Sequence, residues 1–492
     1  MLKKVQLTIA LLLIILLCFA FANRWGIFRL LTGKSRVLIN EQWTAHTVEK
    51  KYPAAEVSSL DIFTNYSAVT VKRTAVDGNI IVRTTGLPDT AIEFIIADGR
   101  LRIEEADVWN RQIRRFSDDR YREWYIASYI TVEIPESVHL TELQFDIQSS
   151  VQADNIEADS VQINGIGGNT FRMRQCRFGT LYSSGNSNLH ISDTAIQQQL
   201  SLHSINGNIK LKNLSAPSAD ITAENGSLYA EKIAFDELLC KMESASCKIT
   251  GSISKTAVIT TEYGNVALEL DETAAAEKIA VHSNNGHVML KGLAAQTADI
   301  QSDYGNIRLN NARFNTLHCR TDSGTIHLNG SVTEAAEVIS SNGSISIDLN
   351  SEPVAEHIKL YTQYGSITAK NLLAAAADIE TDNGNADCTN CTVTDLTAVA
   401  GGTLSFTGDL SGTNRLTSIY GNIAVTLKRP EAEYAIAAGR RNNETMRTAV
   451  ENMTIERSAP ASEDFSFIAG SANAADKLFL SADNGKIIVK TK

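Results

Sequence analysis

The chain has 492 residues, a formal net charge of −11 at pH 7, 43% hydrophobic residues and 7% aromatic residues. This acidic balance, without a stripe of Lys and Arg interleaved with aromatic residues, excludes nucleic acid as the expected partner. A chain of this length ordinarily forms about three domains, but a repeat protein can continue much longer as one body.

An apolar run from Val5 to Ala22 opens the chain behind two lysines. The run is long for the core of a signal peptide and just long enough to span a bilayer. We therefore predict that residues 1–28 form a transmembrane anchor, with the lysines in the cytoplasm and the bulk of the chain exported. The alternative is a signal helix cleaved after Ala22, which would leave a secreted or periplasmic protein.

Residues 29–56 are predicted to be a polar connector. Strand-like alternation begins at Val57 with VSSLDIFTNYSAVTVKRT, so residues 57–148 are expected to form an N-terminal β region or cap. A polar insertion at 109–124 interrupts this region with arginines among Asp and Glu. Mixed charge of this kind favours a solvated surface over a binding patch.

A long repeat dominates residues 149–430. Similar sequences begin at Leu202, Val281 and Leu360, so the starts lie 79 residues apart (281 − 202 and 360 − 281). A fixed period of this length is typical of a repeat architecture. The three repeat units are 202–280, 281–359 and 360–437.

Glycines divide each repeat unit into four short rungs. They recur every 18 to 22 residues, usually after Asn or Tyr and before Asn, Ser or Thr. We expect them to form corners in which glycine supplies a positive φ. These corner glycines are Gly185, Gly207, Gly226, Gly264, Gly286, Gly305, Gly324, Gly343, Gly365, Gly384, Gly402 and Gly421, with Ala245 in one corner position.

Apolar residues alternate with polar ones on both sides of each corner, as in a half-buried strand. Around Gly305 this pattern predicts that Ile300 and Ile307 are buried and that Asp299 and Asn306 are exposed. Rungs stacked at about 4.8 Å would place such aliphatic residues in continuous inner ladders.

The fold class predicted from these patterns is all-β. We expect a single-chain parallel β-solenoid, or β-helix, taken as right-handed, with an N-terminal transmembrane or signal helix. Residues 431–492, which include a last corner at Gly485, are expected to be a C-terminal β cap that covers unpaired strand edges.

The strand-rich opening at Val57, the strand-then-proline segments at Pro135 and Pro430, and the serial YGNI and NGSI corners resemble one known family. This is the bacterial putative-adhesin family of β-strand-repeat proteins, a domain of unknown function. The resemblance runs from Val57 to Lys492, and the insertion at 109–124 departs from it. It implies the fold, a surface location and adhesion, but it supplies no catalytic residues.

The pair Cys388 and Cys391 has the C-x-x-C spacing of a redox or zinc half-site. Both cysteines fall in inward positions of the ladder, however, and no second pair or nearby histidine completes a tetrahedral set. Packing as small hydrophobic residues is therefore favoured, with a disulfide or a metal as alternatives.

Histidines and acids recur along the repeat in a way that does not assemble a site. His203 and His282 occupy equivalent positions four rungs apart, or about 19 Å, which is too far for shared metal ligands. His282 with His287, and His318 with His327, could approach more closely, although exposure is favoured. The repeated acid pairs, about 13 Å apart along a strand, suit neither calcium nor glycoside hydrolysis. These pairs are Asp220/Glu224, Asp299/Asp303 and Asp378/Asp382.

Four tyrosines that directly precede corner glycines are the candidate surface contacts. Exposed, they would offer rigid contact area to sugars or proteins. The alternative, which the turn position favours, is that they pack against the next rung. They are Tyr263, Tyr304, Tyr364 and Tyr420.

The sequence therefore predicts a non-enzymatic cell-envelope β-solenoid that acts as an adhesin or surface binding scaffold. Its expected partners are the membrane, through the N-terminal helix, and glycans or envelope proteins. No cofactor, metal site or catalytic residue is predicted. The alternatives are an envelope sensory or regulatory protein that acts through a partner and, ranked lower, a polysaccharide-active β-helix enzyme.

Overall fold

The computed structural model describes residues 47–439 apart from 66, 76–77, 87–91, 106–127, 166, 272–274, 350–353 and 431–432. Towards the C-terminus it describes 446–450, 453–457, 466–471, 473–483, 485 and 487–490. The predicted anchor at 1–28 and the insertion at 109–124 lie outside the described residues and stay predictions. Within the described ranges no helix is long and apolar enough to cross a membrane.

By its internal packing the chain divides into two units. The first comprises residues 1–140 and 146–152, and the second comprises 141–145 and 153–492. The described strands of the first unit are β1 (Thr47–Pro53), β2 (Ser59–Thr64), β3 (Ala68–Thr74), β4 (Asn79–Thr85), β5 (Ile92–Ala97), β6 (Arg100–Glu105) and β7 (Tyr129–Pro135). A short 3₁₀ turn, Ala54–Glu56, follows β1.

The first unit mixes parallel and antiparallel pairs. β1 pairs antiparallel with β4, and β4 pairs antiparallel with β7, whereas β3 lies parallel to β7. On the other side β5 pairs antiparallel with β6, and β2 lies parallel to β6. The Glu105 carboxylate is buried at one turn of this unit, where it accepts hydrogen bonds from the backbone N–H groups of Asn65 (2.8 Å) and Ser67 (3.0 Å).

The second unit is a parallel β-solenoid, so the predicted fold class is confirmed for it. Strands β8 (Leu140–Ile147) and β9 (Val151–Asp154) contain residues of both units. The strands that follow are β10 (Glu157–Gly165), β11 (Thr170–Arg174), β12 (Arg177–Gly185), β13 (Asn188–Ser204), β14 (Ile209–Ala223), β15 (Leu228–Met242), β16 (Cys247–Thr261), β17 (Val266–Leu270), β18 (Ala276–Ser283), β19 (Val288–Lys291), β20 (Ala294–Ser302), β21 (Ile307–Thr321), β22 (Ile326–Ser340), β23 (Ile345–Leu349), β24 (Ala355–Thr362), β25 (Ile367–Lys370), β26 (Leu373–Thr381), β27 (Ala386–Ala400), β28 (Leu404–Leu410), β29 (Thr413–Ser418) and β30 (Ile423–Leu427).

The inner ladders lie where the alternation predicts them. Ile300 and Ile307 are 0% and 1% exposed. Ile300 stands between Val281 of the preceding rung and Cys319 of the following rung. Asn306 is exposed, as expected, whereas Asp299 is half-buried. The inward residues therefore form the core of this unit, and the polar residues between them face outward.

A second corner, which the sequence analysis did not identify, lies six residues after the first. There the chain adopts a positive φ, at residues such as Asn213 (49°), Asn311 (50°) and Asn371 (52°). Asparagine tolerates this left-handed conformation better than most residues because its short side chain can hydrogen-bond locally. The side chains also link rungs, since Asn390 donates from Nδ2 to Asn371 Oδ1 at 2.6 Å.

The longer rung of each unit carries its extra residues at the end of the strand that is far from the corner glycine. In β13 the pairing with β14 shifts between Ala195 and Gln199. In the next two units the equivalent place lies between β17 and β18, and between β23 and β24. The shift in β13 accommodates one extra residue, and the inner ladders of the next two units continue through the pairs Ile259–Val281 and Val338–Leu360.

The C-terminal strands do not stack in sequence order. They are β31 (Tyr434–Gly439), β32 (Met446–Val450), β33 (Met453–Arg457), β34 (Ser466–Gly470), β35 (Asp476–Ala482) and β36 (Ile487–Lys490). The rung of β35 and β36 lies directly on β29 and β30, and β31 pairs with the far side of β35. The Gly485 corner is therefore an inner rung rather than the end of the stack.

A cluster of hydrogen bonds around Arg429 stabilises this arrangement of the C-terminal strands. The Arg429 guanidinium donates to Asp409 Oδ1 at 2.6 Å and to Asp476 Oδ2 at 2.7 Å. The Tyr434 hydroxyl also donates to Asp409 Oδ1, at 3.0 Å. Burial, together with this hydrogen bond, raises the pKa of Tyr434 to about 12. These contacts hold the returning chain against β28 and β35.

Candidate functional site: the tyrosine edge

The corner glycines are required by close packing rather than by positive φ. A Cβ added to Gly305 would lie 2.0 Å from the carbonyl oxygen of Gly286, which is well inside van der Waals contact. Among the glycines predicted to form corners only Gly185 has a left-handed backbone, with φ of 128°, and it pairs with Ser204 rather than with Gly207. The expectation that the corners need positive φ is therefore wrong for the others. There the close approach of the neighbouring corner backbone favours glycine, and one of these positions holds the small side chain of Ala245.

Buried hydroxyl groups satisfy the backbone at these corners. Thr321 accepts a hydrogen bond from the N–H of Gly324 (3.0 Å) and donates to the carbonyl of Gly305 in the preceding rung (3.1 Å). Because buried backbone groups are costly to leave unpaired, this hydroxyl stabilises the corners in which it occurs, whereas Ala223 and Met242 hold the same position before Gly226 and Ala245. The residues in this position that accept from their corner glycine are Ser204, Thr261, Ser283, Ser302, Thr321, Ser340, Thr362, Thr381 and Ser418.

On the outer side of the corners, the side chains of the residues that follow the glycines form a ladder of hydrogen bonds to the backbone of the next rung. The side chain of Asn265 accepts from the backbone N–H of His287 at 2.8 Å, and His287 Nδ1 accepts from that of Asn306 at 3.0 Å. Asn306 Oδ1 in turn accepts from the N–H of Thr325 at 2.8 Å. Side chains with an acceptor are thus favoured here, which explains the recurrent Asn, Ser and Thr.

We call this corner the tyrosine edge, defined as the residues from two before to one after each corner position between Gly207 and Gly421, Ala245 included. Its four tyrosines stand out from the surface. Tyr263 and Tyr304 are each 67% exposed, Tyr364 is 61% exposed and Tyr420 is 74% exposed. The expected packing of these rings into the turn is therefore not what the structure shows. Their role as contact residues stays a proposal.

The spacing of the four tyrosines follows the rungs. Tyr263 and Tyr304 are two rungs apart, which corresponds to about 10 Å, because rungs are spaced at about 4.8 Å. Tyr364 lies three rungs beyond Tyr304, and Tyr420 lies three beyond Tyr364, or about 14 Å in each step. The rings thus form one row along the edge.

Carboxylates accompany the tyrosines. Some have partners within the fold, since Glu224 lies 3.7 Å from His203 Nε2 and Asp382 accepts from the Tyr361 hydroxyl at 3.1 Å. Arg320 approaches Asp322 at 3.4 Å. These exposed contacts are each worth little, because solvent screens them.

The cysteines of the second unit pack as core residues. Cys388 and Cys391 are 1% and 0% exposed, and neither is in a disulfide. Burial raises the pKa of the Cys319 thiol, and the pKa of Cys176 is raised to about 11 for the same reason. Such thiols are protonated at neutral pH and are poor nucleophiles and poor metal ligands.

The histidines and paired acids are spread along the strands. His318 lies 3.5 Å from Glu337 Oε2, and His357 lies 3.0 Å from Asp378 Oδ2, so each histidine faces a single carboxylate of a neighbouring rung. Within the described parts of the chain, no three His, Cys, Asp or Glu residues are grouped closely enough to hold a metal ion.

Shallow depressions on the strand faces do not coincide with the tyrosine edge. One of about 650 Å³ is lined by residues of β15, β16 and β17, among them Tyr229, Glu231 and Glu269. Another, of about 180 Å³, lies beside Val258 and His282. The residues of the edge line neither depression, and the exposed tyrosines can contact a partner from the surface.

The sequence model of a known family matches two overlapping stretches of the chain. Its description is Toastrack DUF4097, and the matches cover residues 126–278 and 271–355. Together the two matches span residues 126–355, which is slightly less than half of the chain. The resemblance to a β-strand-repeat family of unknown function is thereby confirmed over most of the first two repeat units.

Two solved structures are similar to this chain. One is named a putative adhesin from Bacteroides fragilis, with 14% identity over 66% of this chain and 98% of that chain, and a TM-score of 0.16. The other is named a putative cell adhesion protein from Clostridium sporogenes, with 8% identity over 91% and 99%, and a TM-score of 0.16. Among curated proteins, the comparison finds no match.

Proposed function

We propose that this chain is a non-enzymatic scaffold of the cell surface, adhesin-like, which holds its partner through many similar contacts along the tyrosine edge. The observation that carries the proposal is the row of four exposed tyrosines at equivalent positions of successive rungs. A monomeric protein has no need to expose large aromatic side chains in register, whereas interfaces are enriched in them.

The spacing of the row supports binding rather than catalysis. A catalytic site needs several groups within hydrogen-bonding reach in a concave pocket. The rung spacing instead places the exposed tyrosines about 10 to 14 Å apart, too far from one another to act on one reacting group. Contacts repeated along a line multiply their effect through multivalency even when each is weak.

The proposal includes export of the chain from the cytoplasm. This part rests on the prediction that residues 1–28 form a membrane anchor or a signal helix. Protease added to intact cells or spheroplasts should degrade the body of the chain while cytoplasmic proteins survive. Protection of that body would contradict a surface location. A mature N-terminus at Asn23 would preserve export and replace the anchor with a cleaved signal.

Binding is tested with cells that display the full-length chain. The variant Tyr263→Ser/Tyr304→Ser/Tyr364→Ser/Tyr420→Ser should keep its thermal unfolding temperature, because all four rings are exposed, and should lose adhesion to a surface that the native chain binds. The matched control is Tyr182→Ser, which removes a 46% exposed ring from β12, away from the edge. Equal adhesion by native and fourfold variant cells would refute the proposal.

A further inference from the structure

The tyrosine edge is rich in acidic residues and poor in basic ones. Over its positions from Ile205 to Asn422 the edge contains six carboxylates and neither Lys nor Arg, with His287 as its one basic side chain. Lysines and arginines occur instead on the flanking strands, for example Lys210, Lys248 and Arg308. The six acidic residues are Glu224, Glu243, Glu262, Asp303, Asp322 and Asp382.

Three of these carboxylates adjoin the first two tyrosines. Glu262 directly precedes Tyr263, Asp303 directly precedes Tyr304, and Glu243 lies in the rung before Tyr263. Glu243 and Glu262 are exposed, and Asp303 is half-buried. Among the residues that the structure describes, none of the three carboxylates forms a side-chain hydrogen bond or an ion pair. They are therefore available to a partner.

Both components of this surface attract cations. The face of a tyrosine ring binds ammonium or guanidinium groups, contributing roughly 0.5–1 kcal/mol at an exposed site. Exposed carboxylates add Coulombic attraction of comparable size. A neutral glycan would gain no Coulombic attraction from the carboxylates, and an anionic polymer would be repelled by them.

The length of the row indicates the shape of the partner. Tyr263 and Tyr420 are eight rungs apart, which is about 38 Å. An extended polypeptide advances by about 3.3 Å per residue, so about a dozen residues would reach from one end to the other. A small cation would contact one tyrosine at most.

We propose that the tyrosine edge binds an extended, lysine- or arginine-rich polypeptide segment, with the cations seated on the tyrosine rings and paired with the neighbouring carboxylates. This inference rests on the proposed binding function and names the class of its partner. Its main contact is formed by the side chains of Glu243, Glu262, Tyr263, Asp303 and Tyr304.

The test measures binding of a fluorescent lysine oligomer to the purified full-length chain by anisotropy, with a glutamate oligomer and a neutral linear glucan as comparison probes. The native chain should bind the lysine oligomer, less tightly as salt rises, because exposed charges are screened over about 8 Å at physiological ionic strength. It should bind neither comparison probe.

Two variants separate the contributions of ring and charge. Tyr263→Ser/Tyr304→Ser should weaken lysine-oligomer binding about two- to fivefold per ring removed. Glu243→Gln/Glu262→Gln/Asp303→Asn should weaken it by a similar or larger factor and flatten the salt dependence. The controls are Tyr182→Ser and Glu356→Gln, which remove an exposed ring and an exposed carboxylate far from the edge and should leave binding unchanged.

The outcomes distinguish this inference from the proposed function. If the lysine oligomer does not bind, or binds equally to edge and control variants, the cationic partner is refuted. The adhesion assay with the fourfold tyrosine variant then still decides whether the edge binds at all. If the glucan binds and the tyrosine variant loses it while the charge variant does not, the partner is a neutral glycan and the inference is wrong.

Discussion

Gly305 and Gly168 differ in what an added methyl group would meet. At Gly305 the Cβ would lie 2.0 Å from a backbone carbonyl oxygen of the preceding rung, whereas at Gly168 nothing lies within 4 Å. Neither backbone is left-handed, so conformational strain does not distinguish them. Gly305→Ala should therefore destabilise the fold by about 1–3 kcal/mol, the usual range for overpacking, and Gly168→Ala should be nearly neutral.

Urea unfolding followed by circular dichroism measures both variants. The two substitutions add the same methyl group and remove the same backbone freedom, so the difference between them isolates the collision. Equal midpoints for Gly305→Ala and Gly168→Ala would contradict close packing as the reason for the corner glycines.

Ile307 and Asn306 are adjacent residues with opposite environments. Ile307→Asp would bury an unpaired charge in the inner ladder and should cost at least about 3 kcal/mol. Asn306→Asp should be almost silent, because the carboxylate can still accept from the Thr325 N–H that Asn306 Oδ1 bonds at 2.8 Å. Thermal unfolding of the two variants checks this, and similar shifts would invalidate the inward and outward assignment.

At the residue scale, the sequence predicted correctly which side chains point inward, but it did not predict why the corners hold glycine. The alternation placed Ile300 and Ile307 in the core, since a period of two fixes which face each residue occupies. The contact between Gly305 and Gly286 could not be predicted, because it depends on how closely two rungs stack. The 67% exposure of Tyr304 could not be predicted either, because the alternation of the strands does not determine how a corner side chain is oriented.

At the element scale, the inner face of the strands determines the chemistry of the cysteines. The six cysteines in the described chain are buried and free, and burial raises the pKa of Cys319 and Cys176. We therefore expect negligible reaction with iodoacetamide at neutral pH in the native protein and rapid reaction in urea. Mass spectrometry of labelled peptides measures this site by site.

Cys388 and Cys391 are the critical pair in that experiment. If they were a redox or metal site, they would react in the native state, or would become reactive on treatment with a reductant or a chelator. Labelling of this pair under native conditions, with Cys319 still protected, would contradict their assignment as core residues.

Strand pairing was predictable only where the repeat fixes it. The parallel pairing of β20 with β21 follows from the 19-residue spacing of the corners at Gly305 and Gly324, because equivalent positions of successive rungs stack in register. The antiparallel pairs β1 with β4 and β5 with β6 lie before the repeat begins, where no period identifies the partner. The insertion of β35 and β36 between β29/β30 and β31/β32 likewise depends on tertiary contacts such as those of Arg429.

At the scale of the whole molecule, the second unit is a chain of nearest-neighbour contacts. Each rung pairs with the rung before and the rung after it, and the inner ladders pass through repeat boundaries without interruption. Ile259 pairs with Val281 across one boundary, and Val338 pairs with Leu360 across the next. The stability of such a stack is approximately a sum of rung and interface terms.

This organisation makes removal of a complete repeat unit the decisive experiment on the molecule. Deletion of residues 281–359 joins Ala280 to Leu360, and it brings Leu360 into the position that Val281 holds beside Ile259. The shortened chain should therefore fold, because every remaining rung keeps an equivalent neighbour. Circular dichroism should retain its β-sheet signal, and unfolding should remain cooperative.

The deletion removes Tyr304 and keeps Tyr263, Tyr364 and Tyr420 on the edge. If binding is distributed along the row, affinity should fall gradually, to a degree comparable with the loss of one ring and its neighbouring acids. Deletion of residues 281–361, two residues longer than the repeat unit, is the matched control, because it places the Gly365 corner out of register with Gly264 and should abolish folding. A correctly folded in-register deletion that binds nothing would show that one discrete site lies within residues 281–359, and the distributed edge would be wrong.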